Sequence, residues 1–423
     1  ARAYICHMAS PLALYRDPIA MEPLFPSDPS GELEHLATEL VRTSAKLSEA
    51  MHPVTRAAVA ELVRPMNSYY SNLIEGHDTH PLDIDKALRS EYSTDKEKRD
   101  RQQEALAHIA VHRELHTRWH AGNAPASPAS TVFLKELHKA FYDHLPATFK
   151  WVKSMNGTPF TLVPGAFRDT EVEVGRHVAP AHEAVPAYMD RFAAFYDPDA
   201  PANRSDLRRI IALAAAHHRL VWIHPFPDGN GRVVRLFSDA CFLHEHLDAA
   251  GLWSISRGLA RSRDTYREKL AAADAGRMGD HDGRGNLSNK SLVEFCHYFL
   301  KTAIDQINFM HGSFQLDGVL DRMHAYVDHM ATAKRMHTSA RYLLEAVFLR
   351  GTITRQDAER LTGTSHKTLK KITDQLVGMG LLNEEKKEGL PLLFHASYSL
   401  RSSPWIFPGL YPGNKEVEIR TTL

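Results

Sequence analysis

The chain has 423 residues, long enough for two or three domains, and its 43% apolar and 24% charged residues are typical of a globular protein. A formal net charge of zero excludes attraction to nucleic acids or membranes through bulk charge. No run of about 18 apolar residues occurs, which excludes a membrane-spanning helix. The three cysteines are far apart, which excludes a metal-binding spacing and suits a reducing compartment, so we expect a cytoplasmic location.

The first 120 residues predict an irregular arm (1–30) followed by a helical region (31–120). The arm is rich in Pro, Asp and Ser, whereas apolar residues recur at helical spacing in the region after it. Helices are predicted to begin at Glu32 and Pro53, and a charged helical stretch covers residues 83–120.

Pro65 is predicted to kink or end one helix, and it can equally begin the next, which covers residues 65–76. Ser71 and Glu75 lie four residues apart in this helix and therefore share a face. A carboxylate in the last turn opposes the helix dipole by roughly 0.3–1 kcal/mol. On the residues alone, Glu75 is explained as an exposed glutamate that the helix tolerates.

Residues 121–312 are predicted to form the core of the protein, after a break rich in Gly, Ala and Pro. A helix from Ser130 to Leu145 opens this core, and His138 beside its apolar face favours packing over catalysis. Period-two alternation within residues 159–179 predicts a short β-hairpin. An isolated hairpin is marginally stable, so this one is expected to pack against a neighbour.

The turn from His224 to Arg235 lies between two helical stretches, and the stretch after it is apolar almost all round. A helix of that kind is usually buried. The turn nevertheless carries His, Asp, Asn, two Gly and two Arg, and buried polar groups are costly unless each has a partner. We therefore expect the missing partner to be a ligand.

Five residues of this turn suit the phosphates of a nucleotide. Glycine backbones and the N–H groups at a helix N-terminus together form an anion-binding site. Arginines three residues apart share one face of the helix, and each can bind phosphate oxygens with two N–H groups. The predicted phosphate-binding residues are Gly229, Asn230, Gly231, Arg232 and Arg235.

One further residue of the turn can bind a metal ion, and another can act as a general base. Asp228 can hold Mg²⁺, which typically takes one or two protein carboxylates together with substrate phosphates. His224 is the side chain here that titrates near neutrality, as a general base requires. The turn therefore predicts a nucleotide-dependent transferase site.

A second glycine-rich stretch, residues 281–286, is superficially similar to a phosphate-binding loop. No apolar helix follows it immediately, so it is predicted to be a surface turn. A long helix from Leu292 to about Phe309 closes the core.

Residues 335–403 predict a small C-terminal domain, followed by a tail (404–423). Three helical stretches and then two strands resemble a winged helix-turn-helix. A DNA-binding domain should be basic. Between residues 354 and 390, seven basic and six acidic residues give a net charge of only +1, so a fold-stabilising or partner-binding role is equally consistent.

The twelve residues from His224 to Arg235 resemble, at every specified position, the Fic family signature His-Pro-Phe-x-Asp-Gly-Asn-Gly-Arg-x-x-Arg. The resemblance implies a mainly α fold, a Fic helical domain with a β-hairpin called the flap, followed here by the winged helix. It also implies transfer of AMP from ATP, with Mg²⁺, to a Tyr, Thr or Ser hydroxyl of a target protein or of the enzyme itself. His224 would then be the base and Asp228 the metal ligand.

The segment from Ser71 to Gly76 resembles the inhibitory helix of Fic proteins, Ser/Thr-x-x-x-Glu-Gly/Asn. This resemblance implies that Glu75 pairs with Arg235 and occupies the place of a γ-phosphate. The chain is therefore similar to the self-inhibited class of Fic proteins.

The hairpin resembles the Fic flap, which docks a segment of the target by strand addition. The resemblance assigns this role to Val172, Glu173 and Val174. Tyr266, in the helices after the signature, is consistent either with packing on the adenine or with ordinary packing in the core.

Two other functions stay open at this point. Glu75 could orient a water molecule for removal of AMP from a modified protein, or the chain could be a DNA-binding regulator whose Fic site only senses nucleotide. Fic-like Doc kinases carry a lysine at the position of Gly231, which argues against kinase chemistry, while phosphocholine or UMP transfer remains an alternative. The sequence leaves open the target, the modified residue, DNA binding by the winged helix and formation of a homodimer.

Overall fold

A computed structural model describes residues 15–153, 158–174, 177–386, 392–397 and 406–407. Within these ranges the protein is mainly helical, and no helix is long and apolar enough to cross a membrane. The helices are α1 (Glu32–Ser48), α2 (Pro53–Ile74), α3 (Pro81–Leu88), α4 (Lys96–His120), α5 (Thr131–Asp143), α6 (Val185–Phe195), α7 (Asp206–Ile223), α8 (Asn230–His244), α9 (Ile255–Arg261), α10 (Arg263–Ala273), α11 (Asn289–Ser313), α12 (Leu316–Thr332), α13 (Ala340–Arg350), α14 (Arg355–Thr362) and α15 (His366–Gly378). The strands are β1 (Trp151–Lys153), β2 (Pro159–Thr161), β3 (Glu173–Val174), β4 (His177–Val178), β5 (Thr352–Thr354), β6 (Leu382–Glu385) and β7 (Leu393–Ala396).

The chain divides into two compact units. The first contains the residues up to Ala37 together with Ala124–Cys241 and Arg263–Leu300. The second contains Thr38–Asn123, Phe242–Ser262 and the residues from Lys301 onward. Most of the predicted core therefore lies in the first unit, which also contains the whole turn from His224 to Arg235.

Helices α7 and α8 of the first unit precede and follow this turn, and both are buried. All but one of the residues of α7 from Ile210 to Ile223 are buried. The prediction of a buried helix after the turn is confirmed, because five apolar residues of α8 are at most 1% exposed. These residues are Val233, Val234, Leu236, Phe237 and Ala240.

The part of the predicted arm that the structure describes, residues 15–30, is irregular apart from one 3-10 turn at Pro18–Met21. It nevertheless belongs to the core of the first unit, because Met21 and Leu24 are only 0% and 1% exposed. The Leu24 carbonyl accepts a hydrogen bond of 2.6 Å from the Tyr196 hydroxyl. An irregular segment has no periodicity, so the sequence did not indicate this burial.

The predicted hairpin is present as two very short two-stranded sheets rather than one. Strand β1, which was not predicted, pairs antiparallel with β2. Strand β3 pairs antiparallel with β4, and the connecting residues 175–176 lie outside the described ranges. Val172 lies just before β3 rather than within it.

Helix α2 of the second unit contradicts the prediction of two helices that meet at Pro65. Pro65 lies inside one helix of 22 residues. Proline removes one helical hydrogen bond and costs about 3 kcal/mol in a helix interior. Every residue from Leu62 to Asn72 is buried, so the packing of both halves outweighs that cost. Local propensity alone could not show this burial.

The C-terminal residues contain the predicted helices and both predicted strands. Strand β5 and helix α12 were not predicted. Strands β5, β7 and β6 form an antiparallel sheet in that order. The connection between β6 and β7 includes residues 387–391, which lie outside the described ranges, as does most of the predicted tail.

Candidate active site

His224 caps the C-terminal end of α7 with left-handed backbone angles, φ 50° and ψ 59°. Such angles cost a residue with a side chain about 1–3 kcal/mol and are most frequent at functional sites. The strained backbone is held by hydrogen bonds on both sides. The N–H of His224 donates to Leu220 at 3.2 Å, and its carbonyl accepts from Nε of Arg168 at 2.9 Å.

Arg168 connects this residue to the flap. Its side chain is fully buried, and its backbone N–H donates to the carbonyl of Pro225 at 2.9 Å. The remaining guanidinium nitrogens donate to the carbonyls of Thr170, at 3.1 Å, and Pro180, which lie on either side of β3 and β4. Burial lowers the pKa of Arg168 to about 10, so it remains a cation at neutral pH. One buried arginine therefore holds both the flap and the main chain of His224.

The imidazole of His224 is arranged as a base. Its Nδ1 lies 3.3 Å from the carbonyl oxygen of Val221, which can only accept a hydrogen bond. Nδ1 therefore carries the proton, and Nε2 carries the lone pair. Burial lowers the pKa of His224 from 6.5 to about 4, despite the hydrogen bond to Val221, so the prediction that it titrates near neutrality is wrong. The ring is consequently neutral at pH 7 and able to accept a proton.

The turn after His224 is closed by a reciprocal pair of hydrogen bonds. The Phe226 N–H donates to Oδ1 of Asn230 at 2.9 Å, and Nδ2 of Asn230 donates back to the Phe226 carbonyl at 2.7 Å. The side chain of Asn230 is thus used to shape the turn, so its predicted contact with phosphate would come from its backbone N–H.

His138 holds the turn from the neighbouring helix α5. Its Nδ1 accepts a hydrogen bond of 2.8 Å from the N–H of Gly165, so Nε2 carries the proton and faces the carbonyl of Asp228 at 3.2 Å. Its ring stacks on Phe226 with the centroids 4.1 Å apart. Burial lowers the pKa of His138 to about 4, which keeps it neutral. The prediction that His138 has a packing role is confirmed.

The predicted phosphate-binding residues lie at the start of α8, which begins at Asn230. The first N–H groups of a helix have no partner within it and bear a partial positive charge. Gly229 supports this geometry with a φ of +75°. Arg232 and Arg235, in the same first turn, are only 7% and 1% exposed. A polyanion bound there would stabilise two buried cations at the positive end of a helix dipole.

Asp228 has the chemistry to bind a metal ion that accompanies such a polyanion. It is exposed, and one of its carboxylate oxygens, Oδ2, accepts a hydrogen bond of 2.8 Å from the Tyr142 hydroxyl. The described residues contain no group of three or more His, Cys, Asp or Glu that could hold a metal without a ligand. A single carboxylate suits Mg²⁺, because that ion takes most of its remaining ligands from substrate phosphates and water.

Tyr266 lies in the core of the first unit and is 4% exposed. Its hydroxyl contacts Nε2 of His217 at 2.8 Å, and Nδ1 of His217 lies 2.7 Å from the hydroxyl of Ser238. The ordinary packing that the sequence left open is therefore present, and a contact between Tyr266 and adenine stays a prediction.

The flap is also joined to the end of α7 through His177 in β4. Nε2 of His177 contacts the carbonyl of Trp222 at 2.7 Å, and its Nδ1 lies 3.5 Å from Asp274. Oδ1 of the same carboxylate lies 3.1 Å from Nε2 of His218 in α7. Of the predicted docking residues, Val172 is half-buried, and the side chains of Glu173 and Val174 lie outside the described residues.

The predicted inhibitory residues belong to the second unit. Ser71 is fully buried in α2, whereas Glu75 is exposed at the C-cap of that helix. Gly76 follows with a φ of +89°, and the N–H of His77 donates to the carbonyl of Asn72 at 3.0 Å. The helix therefore ends at Ile74, with Glu75 as its C-cap, rather than at the predicted Gly76.

Comparison with known families identifies the segment that contains the turn. Residues 128–242 match the model of the Fic/DOC family. The turn therefore lies in a segment that is similar to the Fic/DOC domain. The chain is 39% identical over 87 residues to a protein adenylyltransferase Fic of Nematostella vectensis, and 40% identical over 80 residues to one of Culex quinquefasciatus. These matches cover 21% and 19% of this chain but only 20% and 15% of the relatives.

Solved structures show the same fold. A Fic family protein from Desulfovibrio desulfuricans aligns with a TM-score of 0.50 and 14% identity, over 88% of this chain and 98% of its own. Fic-1 from C. elegans aligns with a TM-score of 0.51 and 16% identity, over 68% and 74% of the two chains. The mainly helical fold with small sheets is therefore that of Fic proteins.

Three residues of the site were not recognised in the sequence as parts of it, namely Tyr142, Arg168 in its contact with His224, and His177. A signal existed for the first, because Tyr142 lies four residues after His138 on one face of a helix. The other two act through backbone carbonyls, which have no sequence signature.

Proposed function

We propose that the protein transfers AMP from ATP to a Tyr, Thr or Ser hydroxyl of a target protein or of itself. The observation that carries this proposal is a neutral imidazole, with its lone pair on Nε2, beside a helix N-terminus that contains two buried arginines. Relatives that share the Fic domain and are named protein adenylyltransferases also support it.

The phosphates of ATP would bind the backbone N–H groups of Gly229, Asn230 and Gly231 and the guanidinium groups of Arg232 and Arg235. Asp228 would hold Mg²⁺, which neutralises phosphate charge. The arginines supply the same neutralisation for the pyrophosphate that leaves. Catalysis of phosphoryl and nucleotidyl transfer depends mainly on such positioning and charge stabilisation.

The reaction itself is an in-line displacement. The target hydroxyl oxygen attacks the α-phosphorus while Nε2 of His224 takes its proton, and the bond to the bridging oxygen of pyrophosphate breaks. A new phosphodiester joins AMP to the target, and pyrophosphate leaves. Arg168 fixes the main chain of His224, which places the base in this step.

Docking of the target would use the flap. A segment of the target would add to the flap as a strand next to Val172, Glu173 and Val174. The buried contacts of Arg168 and His177 support this role, because they fix the flap to the end of α7.

The activity would be self-inhibited by Glu75, which would pair with Arg235 in place of the γ-phosphate. Its position at the exposed end of a well-capped helix, directly before Gly76, supports this role. Ser71, one turn earlier on the same face, would support the helix.

The C-terminal residues would form a winged helix-turn-helix. Helices α13, α14 and α15 and the sheet β5-β7-β6 support this proposal. His366, Lys367, Lys370 and Lys371 of α15 are exposed and form the candidate contact surface. Steeply salt-dependent binding of genomic DNA fragments would assign this surface to DNA, and its absence would leave a protein partner.

The test of self-inhibition compares the parent chain with Glu75→Gly during incubation with α-labelled ATP and Mg²⁺. Loss of one charge-assisted contact is worth about tenfold in an equilibrium, so labelling of the protein itself or of lysate proteins should rise by about that factor. Glu49→Gly is the matched control, because Glu49 is also an exposed residue of the second unit that directly follows a helix, and it should label like the parent. Equal labelling by the parent and by Glu75→Gly would remove the self-inhibition, and Glu75-dependent loss of label from a modified target would instead indicate removal of AMP.

A further inference from the structure

Tyr142 contacts the carboxylate that the proposed function assigns to the metal ion. The tyrosine is 1% exposed, and its O–H donates to Oδ2 of Asp228 at 2.8 Å. Its ring also lies directly against Gly229, where an added Cβ would come within 3.1 Å of the ring. The tyrosine thus contacts both residues of the Asp-Gly pair in the turn.

The same face of α5 holds the backbone of Asp228. His138, one helical turn before Tyr142, faces the carbonyl of Asp228 at 3.2 Å, and the two rings lie 4.8 Å apart. Both the main chain and the side chain of Asp228 are therefore fixed by one rigid helix. A carboxylate fixed in this way does not lose rotational freedom when it binds a cation.

We propose that Tyr142 is a positioning residue for the metal ion that accompanies the nucleotide. Its hydroxyl donates a hydrogen bond to Oδ2 of Asp228, so Oδ1 is the oxygen that would bind the cation. This inference rests on the proposed function, since it assumes that Asp228 binds the metal. Hydrogen bonds to a ligating carboxylate orient that ligand, and their loss typically weakens metal binding by about 10–100-fold.

Two other roles for the same contact predict different results. If the hydroxyl occupied the carboxylate at the expense of the metal, its removal would make the metal bind more tightly. If the ring served only to pack against Gly229, removal of the hydroxyl would change nothing, because phenylalanine keeps the ring.

The experiment measures binding of ATP by calorimetry while Mg²⁺ is varied, without reference to turnover. Mg²⁺ should increase the affinity for ATP in both proteins. The Mg²⁺ concentration that gives half of this increase should be about ten times higher in Tyr142→Phe than in the parent. Binding of ATP in the absence of Mg²⁺ should be the same for both proteins, because the phosphate-binding N–H groups and arginines are unchanged.

Two controls separate positioning from packing. Tyr196→Phe also removes a buried hydroxyl from the first unit, one that donates to the carbonyl of Leu24, and it should leave the Mg²⁺ requirement unchanged. In an Asp228→Asn background, Tyr142→Phe should cause no further change, since the two residues act on one ligand.

The outcomes distinguish this inference from the function on which it rests. An unchanged or lower Mg²⁺ requirement in Tyr142→Phe, with a parent that binds Mg²⁺ and ATP together, would overturn the role of Tyr142 alone. An equal effect of Tyr142→Phe with and without the Asp228 carboxylate would overturn it too. A parent whose ATP binding does not depend on Mg²⁺ would overturn both the inference and the metal site of the proposed function.

Discussion

Two turns of the first unit share the pattern Asp-Gly-x-Gly before a helix, yet the structure uses them differently. One is Asp228–Gly231, at the start of α8, and the other is Asp282–Gly285, shortly before α11. The first glycine of each has a positive φ, +75° and +79°. Backbone conformation at this glycine therefore does not distinguish them.

The two aspartates differ in what their carboxylates bind. The carboxylate of Asp282 accepts hydrogen bonds from nearby backbone groups. Its Oδ1 accepts from the N–H of Lys290, in the first turn of α11, at 2.7 Å, and its Oδ2 from the N–H of Met278 at 2.9 Å. The carboxylate of Asp228 instead accepts from the side chain of another helix, Tyr142. Asp282 therefore links its own loop to the start of α11, whereas Asp228 is bonded to a side chain of a different helix.

The glycines differ in the same way. A Cβ at Gly285 would lie 2.3 Å from the carbonyl oxygen of Glu22, so this turn is packed against the N-terminal segment. The N–H of Leu287 donates to that same carbonyl at 2.8 Å. In the other turn, Gly229 lies directly before the first N–H groups of a helix. The Asp282 turn is therefore packed against another segment of the protein, whereas the Asp228 turn opens a helix, where backbone N–H groups can bind an anion.

The largest expected difference between the turns lies in their histidines. His224→Ala should reduce AMP transfer by about a thousandfold, because a general base contributes roughly 10²–10⁴-fold. His281→Ala is the matched control in the second turn, where the side chain is exposed, and should leave transfer unchanged. Transfer rates measured in the Glu75→Gly background check both variants. Comparable losses in the two variants would mean that the distinction between the turns is wrong.

A smaller effect is expected for the glycines, and the two variants should change different properties. Gly229→Ala adds a methyl group at a φ of +75° against Tyr142 and should weaken ATP binding by about tenfold, since an L residue there costs roughly 1–2 kcal/mol. Gly285→Ala meets the backbone of Glu22 and should lower the melting temperature while it leaves the ATP affinity of the folded protein unchanged. Calorimetry of ATP binding and thermal unfolding, both measured on each variant, test this difference. A weaker ATP affinity in folded Gly285→Ala would contradict it.

The smallest expected effect is on the pH dependence. The pKa of His224 lies at about 4, below its ordinary value, so the base is neutral and active throughout pH 6–8 and is lost only as the pH falls through about 4. The kcat/KM of transfer should therefore be flat near neutrality and should be halved at about pH 4, and the same acid limb should persist in His281→Ala. A midpoint near 6.5 in the pH profile would show that burial does not hold the pKa of His224 down.

The comparison also shows how far the sequence could lead. The spacing of the signature predicted the turn and its position before a buried helix, because these depend on contiguous residues. The phosphate-binding role that it gives to residues of the turn stays a prediction. It also separated the turn from residues 281–286, although the observed reason is the bonding of Asp282 and the packing of Gly285 rather than the absence of an apolar helix.

What the sequence did not predict depends on contacts between distant segments. Pro65 lies within α2 because tertiary packing outweighs its local cost, and Met21 is buried although its segment has no periodicity. The contacts of Arg168 with His224 and of Tyr142 with Asp228 join residues 56 and 86 positions apart. Such pairs have no local pattern, so only the folded structure shows them.

The central claim is that the turn from His224 to Arg235 places the α-phosphorus of ATP next to Nε2 of His224. The most direct test incubates the Glu75→Gly protein with ATP labelled at the α-phosphorus and, in parallel, with ATP labelled at the γ-phosphorus. We predict that protein is labelled from the α position alone and that His224→Ala removes this label. Label from the γ position, or α-label that persists without His224, would contradict the claim.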